Sequence, residues 1–278
     1  MSKPVIHLYS ICWNEEIMLP FFFRHYDKFV NRYVFFDDKS DDRTIELINN
    51  HPRAELRPFP ESHNDSFVVS AQSVHNSCWK ESRVHADWTI ITAVDEFLYH
   101  PDLINFLIKC KREEITAVPA LGYQMLSEEF PCNNSNLIND VPHGAPSQAF
   151  SKLSLFDPNA ITETNFQKGR HEADPEGKLK YPACDELLNL HFKYLSFDFV
   201  FERHKQLFNK LRSSDVKNRW GSHYKFNEEE LRSDWNKTRK ALKSCVVTKW
   251  DKSIRSHSPK NKRWWRLEKK SRFPFFWC

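Results

Sequence analysis

Glycine is scarce in this chain, with 5 among 278 residues, and neither a GxGxxG nor a GxxxxGK[ST] pattern occurs. Both patterns depend on glycine because the backbone has to approach a phosphate group closely. Their absence excludes Rossmann dehydrogenases and P-loop enzymes. Any phosphate-binding device that is built on a glycine-rich loop is therefore disfavoured.

Paired cysteines and long apolar runs are missing as well. The 7 cysteines are widely spaced and form no CxxC pair, so the sequence predicts neither a disulfide framework nor a structural zinc site. We infer a reducing compartment. The N-terminus lacks a signal-peptide core, and no run of about 18 apolar residues occurs. These absences predict a cytoplasmic protein, either soluble or peripheral at the inner face of the cytoplasmic membrane.

What is present is ample material for a core, since 40% of the residues are hydrophobic and 14% are aromatic. Apolar, β-branched runs at 5–11, 32–36, 54–58 and 88–94 predict strands, and helical segments separate them. This βαβαβαβ order predicts an α/β fold with a mostly parallel sheet flanked by helices. The run at 88–94 lacks alternation, which is typical of a strand that is covered on both faces.

The remainder of the chain is less regular. Strands are predicted at 115–119 and 187–192, whereas the Asn-, Pro- and Ser-rich stretch 122–182 predicts long loops that bind substrate. We expect two halves of one domain, at 1–100 and at 101–212. A helical extension with a basic and aromatic tail is expected at 213–278.

Polar side chains follow three of the predicted strands where each strand ends. They are Asn14 and Glu15, Asp37 and Asp38, and Asp95 and Glu96. Because the carboxyl ends of parallel strands meet at one edge of a sheet, these groups are expected to surround a ligand. The alternatives are a solvated turn and helix cap at 37–42 and a capping role for Asp95.

Three segments in the first hundred residues carry a family resemblance. CWNEE at 12–16, FDDKSDDRT at 36–44 and WTIITAVDEF at 88–97 resemble the nucleotide-binding half of family 2-like glycosyltransferases with the GT-A fold. The resemblance covers about residues 5–100. It implies a nucleotide-diphosphate sugar donor, with UDP favoured, and inversion at the transferred sugar. It also implies that Asn14, Glu15, Asp37 and Asp38 face the base and ribose.

The same resemblance implies a divalent metal, Mn²⁺ or Mg²⁺, on the donor diphosphate. Such enzymes carry a DxD motif, and here Ala93 stands where the first aspartate is usual. Asp95 is then expected to face the diphosphate or the metal, with Glu96 and His191 as further metal ligands. Imidazole is a suitable ligand for manganese. His171 competes with His191 for that role, and either histidine could instead be a core or rim residue.

The second half supplies the remaining expected site residues. Lys152 and Arg170 are expected to neutralise the leaving diphosphate, although either could be an ordinary surface cation. Inversion requires a carboxylate base for the acceptor hydroxyl. The candidates are Asp185, Glu172 and Glu186, with Asp185 ranked first.

The sequence thus predicts a glycosyltransferase of the hexosyltransferase type. It would act on a glycan or lipid-linked acceptor in the synthesis of a surface polysaccharide such as lipopolysaccharide. The alternative is a non-catalytic nucleotide- or glycan-binding protein. The tail at 260–278 either contacts a membrane peripherally or packs on the domain. A nucleic-acid partner is not expected because the rim of the sheet is acidic.

Overall fold

The computed structural model describes residues 2–63, 65–132 and 136–244. The strands are β1 (Ile6–Cys12), β2 (Arg32–Asp37), β3 (Ala54–Pro58), β4 (Trp88–Ile91), β5 (Glu96–Tyr99), β6 (Ala117–Leu126), β7 (His143–Pro146), β8 (Lys152–Phe156), β9 (Ile161–Glu163), β10 (Glu176–Gly177), β11 (Leu188–Tyr194) and β12 (Lys243–Ser244). The α-helices are α1 (Leu19–Tyr26), α2 (Thr44–Asn49), α3 (Phe67–Ser77), α4 (Leu103–Arg112), α5 (Leu137–Asp140), α6 (Phe197–Lys210), α7 (Ser213–Lys217) and α8 (Glu228–Lys240). Short 3-10 helices cover Cys78–Ser82, Lys168–Arg170 and Ser222–Lys225. The tail expected to contact a membrane, 260–278, lies outside the described residues.

The first four strands form the parallel half of the sheet, in the order β4, β1, β2, β3. Helices α1, α2 and α3 connect them in the order that the sequence predicted, so the α/β fold is confirmed. All four residues of β4 are buried, which explains why this strand has no alternation of polar and apolar side chains. The parallel arrangement brings the carboxyl ends of β1, β2 and β4 to one edge.

The second half of the sheet contains both parallel and antiparallel strands in a region where the sequence predicts loops. Strand β6 spans Ala117–Leu126 and pairs with β7 and β8 in antiparallel fashion, so the prediction of long loops from residue 122 was wrong for this segment. Gly122 had been interpreted as the start of a loop. It is in fact a close approach, because a Cβ atom there would lie 2.2 Å from the backbone carbon of Phe150.

Strand β11 connects strands from the two halves of the chain. It lies between β6, to which it is parallel, and β5, to which it is antiparallel. Its register places His191 beside Gln124 on one neighbour and Glu96 on the other. Strand β4 ends at Ile91, three residues earlier than predicted, so Asp95 lies in the tight connection from β4 to β5.

Helices α6, α7 and α8 pack against the site end of the sheet. Trp235 of α8 is buried and stacks on Tyr194 of β11, with ring centroids 5.3 Å apart. The buried carboxylate of Asp215 in α7 accepts hydrogen bonds from Ser66 and the backbone N–H of Phe67, so it secures the start of α3. Within the described residues, no helix combines the length and the apolarity needed to cross a bilayer.

Candidate active site

A cavity of about 950 Å³ opens at the carboxyl ends of β1 and β4. Its floor is the connection from β4 to β5 together with β11, and its walls come from α3, α6 and α8 and from the segment around Gly169. Open α/β sheets bind ligands beyond the carboxyl ends of their strands. The position and the size of this cavity therefore fit a ligand larger than a single sugar.

Asp95 and His191 form the central pair on the cavity floor. Oδ2 of Asp95 lies 3.2 Å from Nε2 of His191. Burial raises the pKa of the Asp95 carboxyl, but the charge of His191 and its hydrogen bond outweigh burial and hold that pKa below its usual range. Asp95 is consequently ionised at neutral pH.

Gln124 determines how His191 presents its ring. The side-chain amide of Gln124 donates from Nε2 to the carbonyl oxygens of Met125 (3.0 Å) and His191 (3.3 Å), so its Oε1 must be the atom that lies 2.7 Å from Nδ1 of His191. Nδ1 therefore carries the hydrogen and donates it. Nε2 faces the Asp95 carboxylate, and two acceptors at that distance require either a proton or a cation between them.

Glu96 is committed to two cations of the protein. Lys152 Nζ donates to its Oε1 at 2.5 Å, and Arg170 donates to its Oε2 at 2.6 Å. Burial would raise the pKa of Glu96, but these two cations hold it well below its usual range. This arrangement corrects the expectation that Glu96 would bind a metal. It also shows that the Lys152 ammonium, although it lines the cavity, is already paired.

The residues present fit a divalent cation at the Asp95 and His191 pair. In the described ranges, no group of three or more His, Cys, Asp or Glu side chains is arranged to hold a metal. Two protein ligands are nevertheless enough for a cation that is shared with a substrate, because Mg²⁺ is commonly bound by one or two carboxylates together with phosphates and water. The hydrogen bond from His191 to Gln124 is the support that metal-binding histidines usually have.

Glu15 also lines the cavity, as the predicted position at the end of β1 requires. Arg203 of α6 donates to its carboxylate at 2.6 Å. Burial nonetheless raises the pKa of Glu15 to about 7, with Arg203 opposing the rise and Asp95 adding to it. The structure thus brings Glu15 to the cavity but gives it a cationic partner from another part of the chain.

The other three residues expected to face the nucleotide are held by neighbouring loops. The Asn14 amide donates to Asp41 at 2.6 Å, and Asp37 accepts a hydrogen bond from Ser40 at 2.5 Å. Asp38 is buried and accepts one from Arg212 at 2.7 Å. None of Asn14, Asp37 or Asp38 lines the cavity in the part of the chain that the structure describes.

The three candidate bases are also outside the cavity wall formed by the described residues. Glu186 lies 3.8 Å from both His100 and Lys109, on the side of α4. Asp185 and Glu186 precede β11, and His191 is the fourth residue of that strand, which rises about 3.3 Å per residue. Glu172 is exposed, one residue beyond His171, which does line the cavity.

Sequence reasoning missed the contributions of β11 beyond His191 and of the last helices. Lys193, His204 and Asp234 line the cavity, and the hydroxyl of Tyr194 donates to the Asp234 carboxylate. One signal could have found Asp234. Leu231 and Trp235 are four residues apart and mark the inner face of α8, and Asp234 stands next to that face.

Comparisons with known proteins give structural likenesses only. No family model and no curated protein matches the chain. Among solved structures, the chain is similar to S. aureus TarS residues 1–349, with TM-score 0.37 and 8% identity over 73% of this chain and 64% of that one. A second TarS structure from S. aureus gives TM-score 0.36 and 7% identity over 84% of this chain and 43% of that one.

A third solved structure was crystallised with ligands. Glucosyl-3-phosphoglycerate synthase from Mycobacterium tuberculosis, in complex with Mn²⁺, UDP and glucosyl-3-phosphoglycerate, gives TM-score 0.30 and 15% identity over 43% of this chain and 44% of that one. The chain therefore spans less than two thirds of the length of each of these structures.

Proposed function

We propose that this protein is a glycosyltransferase that moves a sugar from a nucleotide-diphosphate donor to an acceptor hydroxyl. The observation that carries the proposal is the Asp95 and His191 pair, whose Nε2 and Oδ2 atoms face each other at 3.2 Å on the floor of the cavity. The sequence resemblance of residues 5–100 to GT-A glycosyltransferases supports the same conclusion.

In this proposal, Asp95 and His191 hold a divalent cation, Mn²⁺ or Mg²⁺. A cation bound there would neutralise charge on the leaving diphosphate. Gln124 keeps the His191 ring in the form that presents a lone pair, through its 2.7 Å hydrogen bond to Nδ1. The cations Lys152 and Arg170 keep Glu96 ionised beneath the site and fix the connection that carries Asp95.

The catalytic base that we propose is Asp234 rather than Asp185, Glu172 or Glu186. Among the residues that the structure describes, four carboxylates line the cavity: Glu15, Asp95, Glu96 and Asp234. Glu96 is held by two cations, Glu15 by Arg203 and Asp95 by His191. Asp234 has a neutral partner, the Tyr194 hydroxyl, so one of its oxygens is available to accept a proton.

The reaction is a substitution at the anomeric carbon. Asp234 removes the proton of an acceptor hydroxyl, the hydroxyl oxygen forms a bond to the anomeric carbon, and the bond from that carbon to the diphosphate oxygen breaks. The configuration inverts because the nucleophile attacks opposite the leaving group. UDP is the favoured nucleotide, and the acceptor is a glycan or lipid-linked glycan of a surface polysaccharide. The nucleotide-binding half at 1–100, acceptor-binding half at 101–212 and extension at 213–278 remain part of the proposal.

Donor consumption tests the proposal. Purified protein with Mn²⁺ is incubated with a panel of nucleotide sugars, and the released nucleoside diphosphate is measured. We expect at least one donor to be consumed, with Asp95→Asn slower by about 10²-fold or more because charge stabilisation is lost. Asp234→Asn is expected to slow transfer by about 10²-fold or more and to leave UDP affinity unchanged. Consumption of no donor by the wild-type protein would reject the proposal.

A non-catalytic nucleotide- or glycan-binding protein is the second candidate, and one observation favours it. Two carboxylates expected to face the nucleotide, Glu15 and Asp38, are already paired with Arg203 and Arg212. This alternative predicts that UDP or a glycan binds without any turnover of the donor panel. It also predicts that Asp234→Asn has no effect on binding.

A further inference from the structure

One wall of the cavity carries two lysines, Lys193 and Lys237, that form no ion pair among the described residues. Lys193 of β11 points to the ring of Tyr224, with Nζ 4.4 Å from the ring centroid. In the described part of the chain, Lys193 has neither a hydrogen bond nor an ion pair. The Lys193 side chain lines the cavity on the same strand as His191.

Lys237 of α8 is a second lysine on this wall, and it too has no hydrogen bond or ion pair among the described residues. It stands three residues after Asp234, whose charge acts on Lys193. Among the cavity carboxylates, Glu15, Asp95 and Glu96 are paired with cationic or histidine side chains, and Asp234 accepts a hydrogen bond from the Tyr194 hydroxyl. The described cavity lining therefore holds five lysine and arginine side chains against four carboxylates.

His204 provides an independent sign that a ligand binds at this wall. Its side chain is 2% exposed, lines the cavity and has no hydrogen-bond partner for either ring nitrogen within the described ranges. Buried polar groups are nearly always satisfied, so a polar ligand atom is the natural partner here. Both His204 and Lys193 lie against the ring of Tyr224, with the His204 ring centroid 5.4 Å and the Lys193 Nζ 4.4 Å from the centroid of that ring.

Lys193 and Lys237 are not among the residues assigned to the metal, although Lys193 is close enough to Asp95 for the two charges to interact. A divalent cation at Asp95 and His191 would offset the charge of the donor diphosphate. Lys193 and Lys237 then remain for the second substrate. Lysine ammonium groups are common partners of phosphates and carboxylates in proteins.

We propose that the acceptor carries an oxyanion, a phosphate or a carboxylate, which Lys193 and Lys237 bind while His204 hydrogen-bonds a polar atom of the same molecule. This inference rests on the proposed function, because the bound molecule is an acceptor only if the protein transfers a sugar to it. The oxyanion site itself does not depend on turnover, and its test is a binding measurement.

Three probes with the same ring test the site: glucose 6-phosphate, glucuronate and glucose. Their affinities for the full-length protein are measured by calorimetry or ligand-observed NMR, with saturating UDP and Mn²⁺ and again without them. We expect at least one of the two anions to bind about tenfold more tightly than glucose or better, as charged hydrogen bonds provide. The anion that binds more tightly than glucose shows whether the site prefers a phosphate or a carboxylate.

Lys193→Gln and Lys237→Gln are each expected to remove most of that preference and to leave glucose and UDP binding unchanged. Lys237 is exposed on α8, so its variant remains informative if Lys193→Gln does not fold. Lys205→Gln is the matched control, because Lys205 pairs with Glu202 on the surface and does not line the cavity among the described residues.

Three results would overturn the inference. They are equal affinity for all three probes, a preference that both lysine variants retain, and a loss of UDP affinity in Lys193→Gln, which would assign this lysine to the donor. If the wild-type protein consumes no donor but prefers the anions, the proposed function fails and the oxyanion site stands.

Discussion

Asp95 and Glu96 are adjacent carboxylates in two different surroundings. The side chain of Asp95 is 28% exposed, faces the cavity and has His191 as its ionic partner. The side chain of Glu96 is 2% exposed and lies between Lys152 and Arg170. The turn from β4 to β5 directs the Asp95 side chain to the cavity and the Glu96 side chain into the protein interior. Partners, rather than residue type, therefore decide which carboxylate can serve a ligand.

The comparison predicts its largest effect on stability at Glu96. Replacement of Glu96 by Gln leaves Lys152 and Arg170 buried without a counter-charge, so we expect a loss of about 3–5 kcal/mol in the free energy of unfolding. Urea denaturation measures it. The control is Glu163→Gln, since Glu163 pairs with Lys80 at the surface and should cost about 1 kcal/mol or less. If Glu96→Gln lost no more free energy of unfolding than Glu163→Gln, Glu96 would not be needed to neutralise Lys152 and Arg170.

Glu15 tests whether burial destabilises the charged form of a cavity carboxylate even when that carboxylate has a cationic partner. Its folded-state pKa of about 7 lies above the ordinary value of 4.5. A raised pKa gives stability that is complete below the unfolded value and is lost as pH rises through about 7. We therefore expect wild type to lose up to about 3 kcal/mol relative to Glu15→Gln between pH 4.5 and 8.

Denaturant unfolding of both proteins across this pH range checks the prediction, because Gln keeps a hydrogen bond to Arg203 but cannot titrate. A difference between the two proteins that does not change with pH would show that Arg203 keeps Glu15 ionised throughout.

A smaller effect is expected from the residue that orients His191. Gln124→Leu removes the acceptor for Nδ1, so the affinity for Mn²⁺ in the presence of UDP should fall by about 10- to 100-fold. Calorimetry with Mn²⁺ measures this loss. Gln72→Leu is the control, since Gln72 donates to the Phe166 carbonyl away from His191. Equal Mn²⁺ affinity in both variants would mean that Gln124 has no part in the site.

The sequence was informative where each strand is followed by its own helix. The order β1, α1, β2, α2, β3, α3, β4 could be predicted because each segment has a local pattern and parallel connections follow fixed rules. Strand β6 was predicted only in its first part, by the strand expected at 115–119, because Pro119 and Gly122 are local signals of loops. Its ten buried residues become a strand only through pairing with β7, β8 and β11.

The site was predictable in part for the same reason. That Asp95 and His191 meet at the cavity could be expected from strand ends and from the family resemblance. Glu96 was misassigned because its partners, Lys152 and Arg170, lie 56 and 74 residues away in sequence. Asp234 was missed because α8 reaches the cavity only through tertiary packing of Trp235 on Tyr194.

The most direct test of the account is the Mn²⁺ dependence of UDP binding in wild type and Asp95→Asn. Calorimetry with and without Mn²⁺ gives four affinities. We expect Mn²⁺ to tighten UDP binding by wild type and to leave the affinity of Asp95→Asn unchanged, with both proteins equally stable in urea to within about 1 kcal/mol. Equal tightening by Mn²⁺ in both proteins would contradict it, because the cation would then bind without Asp95.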